Sequence, residues 1–178
     1  MTNTAAAASA ATLRAPARRP LAAATGLTAL GLAVYHLVTP GSPQATFGSF
    51  SDWFRDLLFL GYLVLSVAAI SAAHRTRVAP RAAFVLVAAG YGLIALGVAA
   101  GLVLQEDPSW FFVLGGPGIL LSVAGFLTWA VLGARRRMLP VWGAVWCAVG
   151  GTFAILGAEA GLSAVVGSFW LWLSLRRS

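Results

Sequence analysis

Six apolar stretches alternate with short polar segments along the chain. They cover about residues 20–38, 55–73, 80–103, 111–133, 139–157 and 160–175. A helix needs about 20 apolar residues to cross the roughly 30 Å hydrocarbon layer of a bilayer, and these stretches approach that length. Lipid offers the backbone no hydrogen-bond partners, so each stretch should be a helix. The pattern therefore predicts an all-α, polytopic transmembrane bundle of six helices.

The predicted transmembrane domain covers residues 20–178, and residues 1–19 form a separate segment. That segment is rich in Ala, Thr and Ser and carries three arginines but no acid. We expect it to be a disordered cytoplasmic tail. The first apolar stretch, about 18 residues long, exceeds the 7–15 residues typical of a signal peptide core, so cleavage is not expected.

The last two stretches are the least clearly separated. Residues 138–175 carry a single charge, on Glu159. One helix over that range would run about 57 Å, far more than one crossing needs. We therefore predict a turn at residues 158–161. The sixth helix would then be about 24 Å long, so the two arginines at its end must snorkel or the bilayer must thin.

Groups of basic residues and groups of acidic residues alternate along the chain. All twelve basic residues are arginine, and eleven lie in four clusters, within 14–19, 75–81, 135–137 and 176–177. The five acids lie between these arginine clusters and are Asp52, Asp56, Glu106, Asp107 and Glu159. Arginine-rich loops stay on the cytoplasmic side of a membrane. Both termini are therefore predicted to be cytoplasmic, and the acids to face the opposite side.

The overall composition supports a membrane protein. The 178 residues are 60% hydrophobic and 10% charged, with a mean hydropathy of +0.86, whereas soluble domains are about a quarter charged. The isoelectric point near 11.3 does not indicate nucleic-acid binding, because the arginines are divided among separate loops and ends. Anionic lipid headgroups at the cytoplasmic face are the expected partners. Arginine-only basic residues with abundant Ala and Gly suggest a bacterial genome, and hence a bacterial plasma (inner) membrane.

A repeat of sixty residues is suggested by three prolines. Pro20, Pro80 and Pro140 each open a stretch that would run from the cytoplasmic side outward, and proline suits the first turn of a helix. Residues 88–102 and 148–162 are identical at seven of fifteen positions, and LSVA occurs in both the second and the fourth stretch. Ala, Gly and Leu also match by chance in membrane sequences. Two interpretations therefore stay open: the chain consists of three tandem helical hairpins, or its six helices are unrelated.

Glycines suggest two structural features. Gly97 and Gly101, like Gly157 and Gly161, are four residues apart, a spacing that lets helix backbones approach closely. The sequence at 115–118 is Gly-Gly-Pro-Gly, so we expect a kink or local unwinding of the fourth helix there. Transporters use such breaks to expose backbone groups near a substrate, although a simple packing kink is the more ordinary explanation.

Almost no side chain within the apolar stretches can ionise, whereas proton relays and ion-coupled carriers place ionisable groups there. His36 and His74 lie about one bilayer thickness apart, so they are not expected to share a haem. Cys147 lies in mid-stretch among small residues and is expected to pack rather than react. No catalytic, cofactor-binding or metal-binding residue is predicted, and the chain is not predicted to be an enzyme.

The polar groups at the acidic end offer an alternative. Asp52 is predicted to cap the second helix and to lie within reach of Arg55. The five acids and His36 could also hold a metal ion on the outer side, although carboxylates in loops mostly just face water.

Aromatic residues agree with the predicted orientation, since tryptophans prefer the headgroup level of a bilayer. The residues predicted at the outer interface are Trp53, Phe54, Trp110, Phe111 and Phe112. Those predicted at the inner interface are Trp129, Trp142 and Trp172. Trp146 and Trp170 are predicted to pack between helices.

Three functional hypotheses follow from the sequence. The first is a non-enzymatic membrane component that acts through helix packing with a protein or lipid partner, a second copy of the chain included. The second is a small-solute or lipid transporter that uses the Gly/Pro-containing fourth helix. The third is an outward-facing metal-dependent membrane enzyme. No cofactor and no nucleic-acid partner is predicted.

Reporter fusions test the predicted topology. Fusions after residues 45, 78, 107 and 136 should report outside, inside, outside and inside, because arginine-rich loops resist translocation. Paired reporters that are active on only one side of the membrane provide the measurement. A tag at the carboxyl end that is accessible from outside intact cells would contradict the six crossings.

Overall fold

The computed structural model describes residues 18–39, 50–105, 110–156 and 161–176. Over these residues the fold is all-α, with six helices and no strand. In chain order the helices are α1 (Arg18–Val38), α2 (Phe50–Arg75), α3 (Arg81–Leu104), α4 (Phe111–Arg135), α5 (Val141–Leu156) and α6 (Ser163–Leu175). The predicted fold class and the six predicted helices are confirmed.

Helices α1 to α4 are each long and apolar enough to cross a membrane. Helix α5 has 16 residues and α6 has 13, so they measure about 24 Å and 20 Å, less than a hydrocarbon layer of roughly 30 Å. Crossing by α5 and α6 therefore stays a prediction. Of the predicted turn at 158–161, only Gly161 is described; its φ is 73°, in the left-handed region.

The start of α1 differs slightly from the prediction. Arg18 and Arg19, the last two residues of the predicted tail, belong to the helix, and residues 1–17 lie outside the described part. Arg18 is buried, and its guanidinium donates a hydrogen bond of 3.2 Å to the Arg176 carbonyl oxygen at the end of α6. This bond connects the first and last described helices.

The α2–α3 and α4–α5 connections have the same backbone, sixty residues apart. In the first, Arg77 is left-handed with φ 59°; its N–H donates to the His74 carbonyl at 2.9 Å, and the Val78 N–H donates to the Ala73 carbonyl at 2.8 Å. The second repeats these features, with φ 54° at Arg137 and distances of 3.0 and 2.8 Å. The pair of bonds and the left-handed residue define a Schellman motif, in which glycine is usual.

The sixty-residue repeat is supported at two of the three prolines. Pro80 and Pro140 directly precede α3 and α5, and their carbonyls accept N–H bonds from Phe84 and Ala144 at 3.1 and 2.9 Å. Pro20 instead lies inside the first turn of α1. The hairpins α3–α4 and α5–α6 therefore begin in the same way, whereas the hairpin α1–α2 begins differently.

The six helices form a closed ring. Each helix packs against its neighbours in sequence, and α6 returns to pack against α1. Large, fully buried side chains fill the interior: Tyr62, Tyr91, Phe126, Trp129, Phe169 and Trp170. Trp129 of α4 meets Phe169 of α6 edge-on, with ring centroids 5.6 Å apart, a favourable geometry for aromatic pairs. The ring thus has an aromatic interior.

Two helix pairs approach closely through facing glycines. A Cβ built on Gly90 of α3 would lie 2.5 Å from the Gly118 carbonyl oxygen of α4, and one on Gly118 would lie 2.8 Å from the Gly90 carbonyl oxygen. Gly26 of α1 and Gly167 of α6 face each other in the same way, at 2.8 and 3.0 Å. We call these contacts the two glycine crossings. One holds the second hairpin together, and the other closes the ring.

Alanine at Gly118 should lower the free energy of unfolding by about 1–3 kcal/mol, because its methyl group meets backbone atoms of α3 that cannot yield without a shift. Gly116, two positions earlier, is the matched control because nothing lies within 4 Å of its Cβ position. Gly116→Ala should be neutral or stabilising by up to about 1 kcal/mol. Reversible unfolding in detergent micelles measures both variants. Equal losses of stability would contradict the crossing.

Candidate functional site

Nine of the ten arginines among the described residues gather at one end of the ring, which we call the arginine end. It is formed where α1, α3 and α5 begin and where α2, α4 and α6 end. Its arginines are Arg18, Arg19, Arg75, Arg77, Arg81, Arg135, Arg136, Arg137 and Arg176. The clustering places most of the described positive charge at one boundary of the apolar helices.

Side-chain hydrogen bonds link the loops at the arginine end to later helices. The Trp129 Nε1 atom donates to the Val78 carbonyl at 2.9 Å, and a terminal nitrogen of Arg176 donates to the Met138 carbonyl at 2.8 Å. Val78 and Met138 are sixty residues apart and occupy the same position in the two Schellman loops. The α2–α3 loop is therefore bonded to α4, and the α4–α5 loop is bonded to the end of α6.

Trp129 corrects one prediction from the sequence. It was expected at the membrane interface, but it is fully buried, because its indole N–H reaches the Val78 carbonyl from inside the ring. Trp170 is also fully buried, and Trp146 donates to the Val165 carbonyl of α6 at 3.1 Å. The prediction that these two pack between helices is confirmed.

The opposite end holds the described acids. Arg55 Nε donates to Asp56 Oδ1 at 2.8 Å, an ion pair between adjacent residues. Asp52 lies in the first turn of α2, which begins at Phe50, so its predicted position as the N-cap is wrong. The other three acids, Glu106, Asp107 and Glu159, lie outside the described residues, and so the proposed outer cluster is described only in part.

The two histidines lie at opposite ends of the ring, as predicted. His36 is in the last turn of α1, and His74 is in the last turn of the antiparallel α2. His74 Nδ1 lies 3.2 Å from the Ala79 carbonyl oxygen, and its ring stacks on Phe84 at 5.5 Å. Among the described residues, no three His, Cys, Asp or Glu side chains are close enough to hold a metal ion.

A pair of tyrosine hydroxyls lies inside the ring. Tyr62 of α2 and Tyr91 of α3 are fully buried, and their hydroxyl oxygens are 2.9 Å apart. This pair was not predicted from the sequence, although the position of two of the chain's three tyrosines in mid-helix was a signal for a buried polar contact. Cys147 is buried too, with its Sγ atom 3.8 Å from the Phe126 carbonyl oxygen, as expected for a packing role.

Helix α4 runs unbroken through its Gly-Gly-Pro-Gly segment. Of the two expected alternatives, local unwinding is therefore wrong, and a kink at Pro117 stays a prediction. Pro117 removes one backbone hydrogen bond, while the neighbouring glycines provide close packing. A Cβ on Gly115 would lie 3.1 Å from the Phe111 ring, and Gly118 faces Gly90 of α3. The segment serves contact within the second hairpin.

Helices α2 and α3 leave an open groove of about 650 Å³ on the outside of the ring, which we call the α2–α3 groove. Its lining is almost entirely apolar and consists of Leu60, Ala88, Ala89, Gly92, Leu93, Ala95, Leu96 and Ala99. Nothing lies within 4 Å of a Cβ built on Gly92, whereas one on Gly97 would lie 2.6 Å from the Phe111 ring. The predicted contact at Gly97 is thus internal, and the small residues left open on α3 line the groove.

A double-mutant cycle tests the tyrosine pair. Tyr62→Phe and Tyr91→Phe should each destabilise the protein, because each leaves one buried hydroxyl without its partner. The double variant should be less destabilised than the sum of the two, with a coupling of about 0.6–1.7 kcal/mol. Unfolding in detergent provides the four free energies. Strict additivity would contradict a hydrogen bond between the two hydroxyls.

The comparisons with known proteins identify no relative. No protein-family model, no curated protein and no solved structure matches this chain. The fold and the surfaces described above are therefore the basis for inferring function.

Proposed function

We propose that this protein is a non-enzymatic, multi-pass component of a bacterial plasma membrane, and that it acts by packing against a partner's transmembrane helix. The observation that carries the proposal is the α2–α3 groove. It faces outward from the ring, between two helices that are long and apolar enough to cross a membrane. A partner there would be reached by diffusion within the bilayer.

The lining of the groove favours a helix as its occupant. Alanine and glycine on α3 would let the backbone of a partner helix approach closely. Such close packing drives helix association in membranes, because apolar side chains gain little by leaving lipid for another helix. From Ala88 to Ala99 the groove follows α3 for about 16 Å, or three turns of a helix. The lining is almost entirely apolar, so the occupant needs no polar side chain on the face it buries.

The chemistry of the interior supports a role without catalysis. Apart from Arg18 at the arginine end, the buried polar side chains of the described helices carry hydroxyl, indole or thiol groups. Such groups are neutral, and most of them bond to one another or to the backbone. The hydroxyls of Ser66 and Ser163 and the indole N–H of Trp170 have no hydrogen-bond partner among the described residues. The transporter hypothesis rested on a broken fourth helix, and α4 is continuous, so no described feature now favours it.

The proposed orientation follows from the arginine end. Arginine-rich loops stay in the cytoplasm, so we place this end and both termini on the cytoplasmic side. There the arginines face the anionic lipid headgroups that are enriched in that leaflet, rather than a nucleic acid.

A photocrosslinking amino acid in the groove tests the proposal. Leu96 lines the groove and is 62% exposed, and Leu120 of α4, which does not line it, is 72% exposed. Crosslinker at position 96 should give a discrete protein adduct in native membranes, and crosslinker at position 120 should give none. An adduct of twice the chain's mass would identify the partner as a second copy.

Adding Gly92→Leu should abolish the adduct at position 96, because the new side chain fills the groove. It should not lower the free energy of unfolding by more than about 0.5 kcal/mol, since nothing lies within 4 Å of the new Cβ atom and leucine favours a helix over glycine. Gly61→Leu on α2, which is equally open, is the matched control and should leave the adduct in place. Crosslinks to lipid alone at both positions, or an adduct that survives Gly92→Leu, would refute the proposal.

A further inference from the structure

We propose that the arginine end carries a specific binding site for one anionic phospholipid, located where the α4–α5 loop meets the ends of α5 and α6. We call it the tryptophan–arginine site. It consists of Trp142, Trp146, Trp172, Arg135–Arg137 and Arg176. It lies away from the α2–α3 groove and does not depend on helix binding there, but it rests on the proposed placement of the arginine end at a membrane surface.

Three tryptophans form the apolar part of the site. Trp142 and Trp146 are one turn apart on α5, with ring centroids at 6.0 Å, and Trp172 of α6 lies 4.5 Å from Trp142 and 6.1 Å from Trp146. Trp142 is 53% exposed. Through Trp142, the second residue of α5, the cluster therefore exposes an aromatic surface close to the helix ends.

A glycine keeps the tryptophan cluster compact. A Cβ built on Gly143 would lie 2.7 Å from the Cη2 atom of Trp172, so only a glycine lets this indole lie so close to the α5 backbone. The Trp146 N–H is bound to the Val165 carbonyl at 3.1 Å. Both contacts fix the aromatic surface in place before any ligand arrives.

Arginines form the charged part. The Arg176 guanidinium lies 5.6 Å from the Trp172 ring centroid, in cation–π geometry, and its hydrogen bond to the Met138 carbonyl holds it against the α4–α5 loop. That loop carries Arg135, Arg136 and Arg137, all exposed. The two described carboxylates, Asp52 and Asp56, lie at the other end of α2, and so neither neutralises this cluster.

This combination fits an anionic phospholipid. Guanidinium groups bind phosphate oxygens through paired, charge-assisted hydrogen bonds. Tryptophan prefers the level of the headgroup and glycerol, with its apolar body toward the acyl chains. Trp142 is the second residue of α5, and Arg135–Arg137 precede that helix. The arginines therefore lie at the depth of the lipid phosphate, and the tryptophan lies at the depth of the glycerol and the first part of the acyl chains.

The α2–α3 loop supplies a control within the same molecule. It has the same Schellman backbone and carries arginines at 75 and 77, the positions equivalent to 135 and 137. Its nearby tryptophan, Trp129, is fully buried and bonded to the loop itself. Nonspecific electrostatic attraction would bring anionic lipid to both loops. Binding at the tryptophan–arginine site should instead hold the lipid at the α4–α5 loop.

Native mass spectrometry tests the site with the full-length protein taken from bilayers of phosphatidylglycerol and phosphatidylethanolamine. We expect one phosphatidylglycerol to be retained per chain. Arg135→Gln combined with Arg137→Asn should lower its occupancy about tenfold, as expected for the loss of charge-assisted hydrogen bonds. Arg75→Gln with Arg77→Asn removes the same charges sixty residues earlier and should change occupancy less than about twofold. Asparagine accepts the left-handed conformation, so both variants should fold.

Two further variants separate the tryptophans from the charges. Trp142→Leu leaves every arginine in place and should lower occupancy several-fold, whereas Trp110→Leu, at the other end of the ring and 42% exposed, should not. Millimolar inorganic phosphate should not displace the lipid, because it makes no contact with the tryptophans. Equal losses from the two loops, equal retention of phosphatidylethanolamine, displacement by phosphate, or no retained lipid would each overturn the proposal. None of these outcomes tests whether a partner helix binds in the α2–α3 groove.

Discussion

The fold depends on close backbone contact at the two glycine crossings. In lipid, an apolar side chain gains little by leaving acyl chains for another helix, so association rests on van der Waals contact and on the few polar bonds available. Gly90 with Gly118, and Gly26 with Gly167, provide that contact at opposite sides of the ring. The second crossing joins α1 to α6, and the bond from Arg18 to Arg176 closes the same seam at its end. Without this seam the six helices would be an open row.

The ring in turn determines which small residues stay available to a partner. Gly90 and Gly92 are two residues apart on α3, yet the first is enclosed by α4 and the second faces open space. A helix places such residues about 200° apart around its axis, so one face can serve the internal contact while the other lines the groove. Gly97 shares the internal role, because Phe111 occupies the space beside it. The residues that pack within the ring and those that line the groove are thereby separated on a single helix.

The same geometry explains what the sequence could and could not predict. Charge and hydropathy vary along the membrane normal, so the helix boundaries follow from them; α4 was predicted at 111–133 and is observed at Phe111–Arg135. When every face of a helix is apolar, hydropathy does not show which face packs inside the ring and which face lies toward the outside. Trp129 was therefore assigned to the interface although it points inward, and the Tyr62–Tyr91 pair was missed. The glycines beside Pro117 suggested unwinding because their packing partner on α3 was not visible in the sequence.

The two Schellman loops show how a repeated backbone can carry different chemistry. Their left-handed positions would be satisfied by glycine at lower conformational cost, yet both hold arginine, Arg77 and Arg137. Backbone geometry cannot account for that choice, whereas a positive charge at a membrane boundary can. The carbonyl that follows each arginine then accepts from a different side chain, a buried indole in one loop and the Arg176 guanidinium in the other. The two loops thus share a backbone and two arginines at equivalent positions but differ in what lies beside them, and that difference is the reason for proposing a lipid site at the α4–α5 loop.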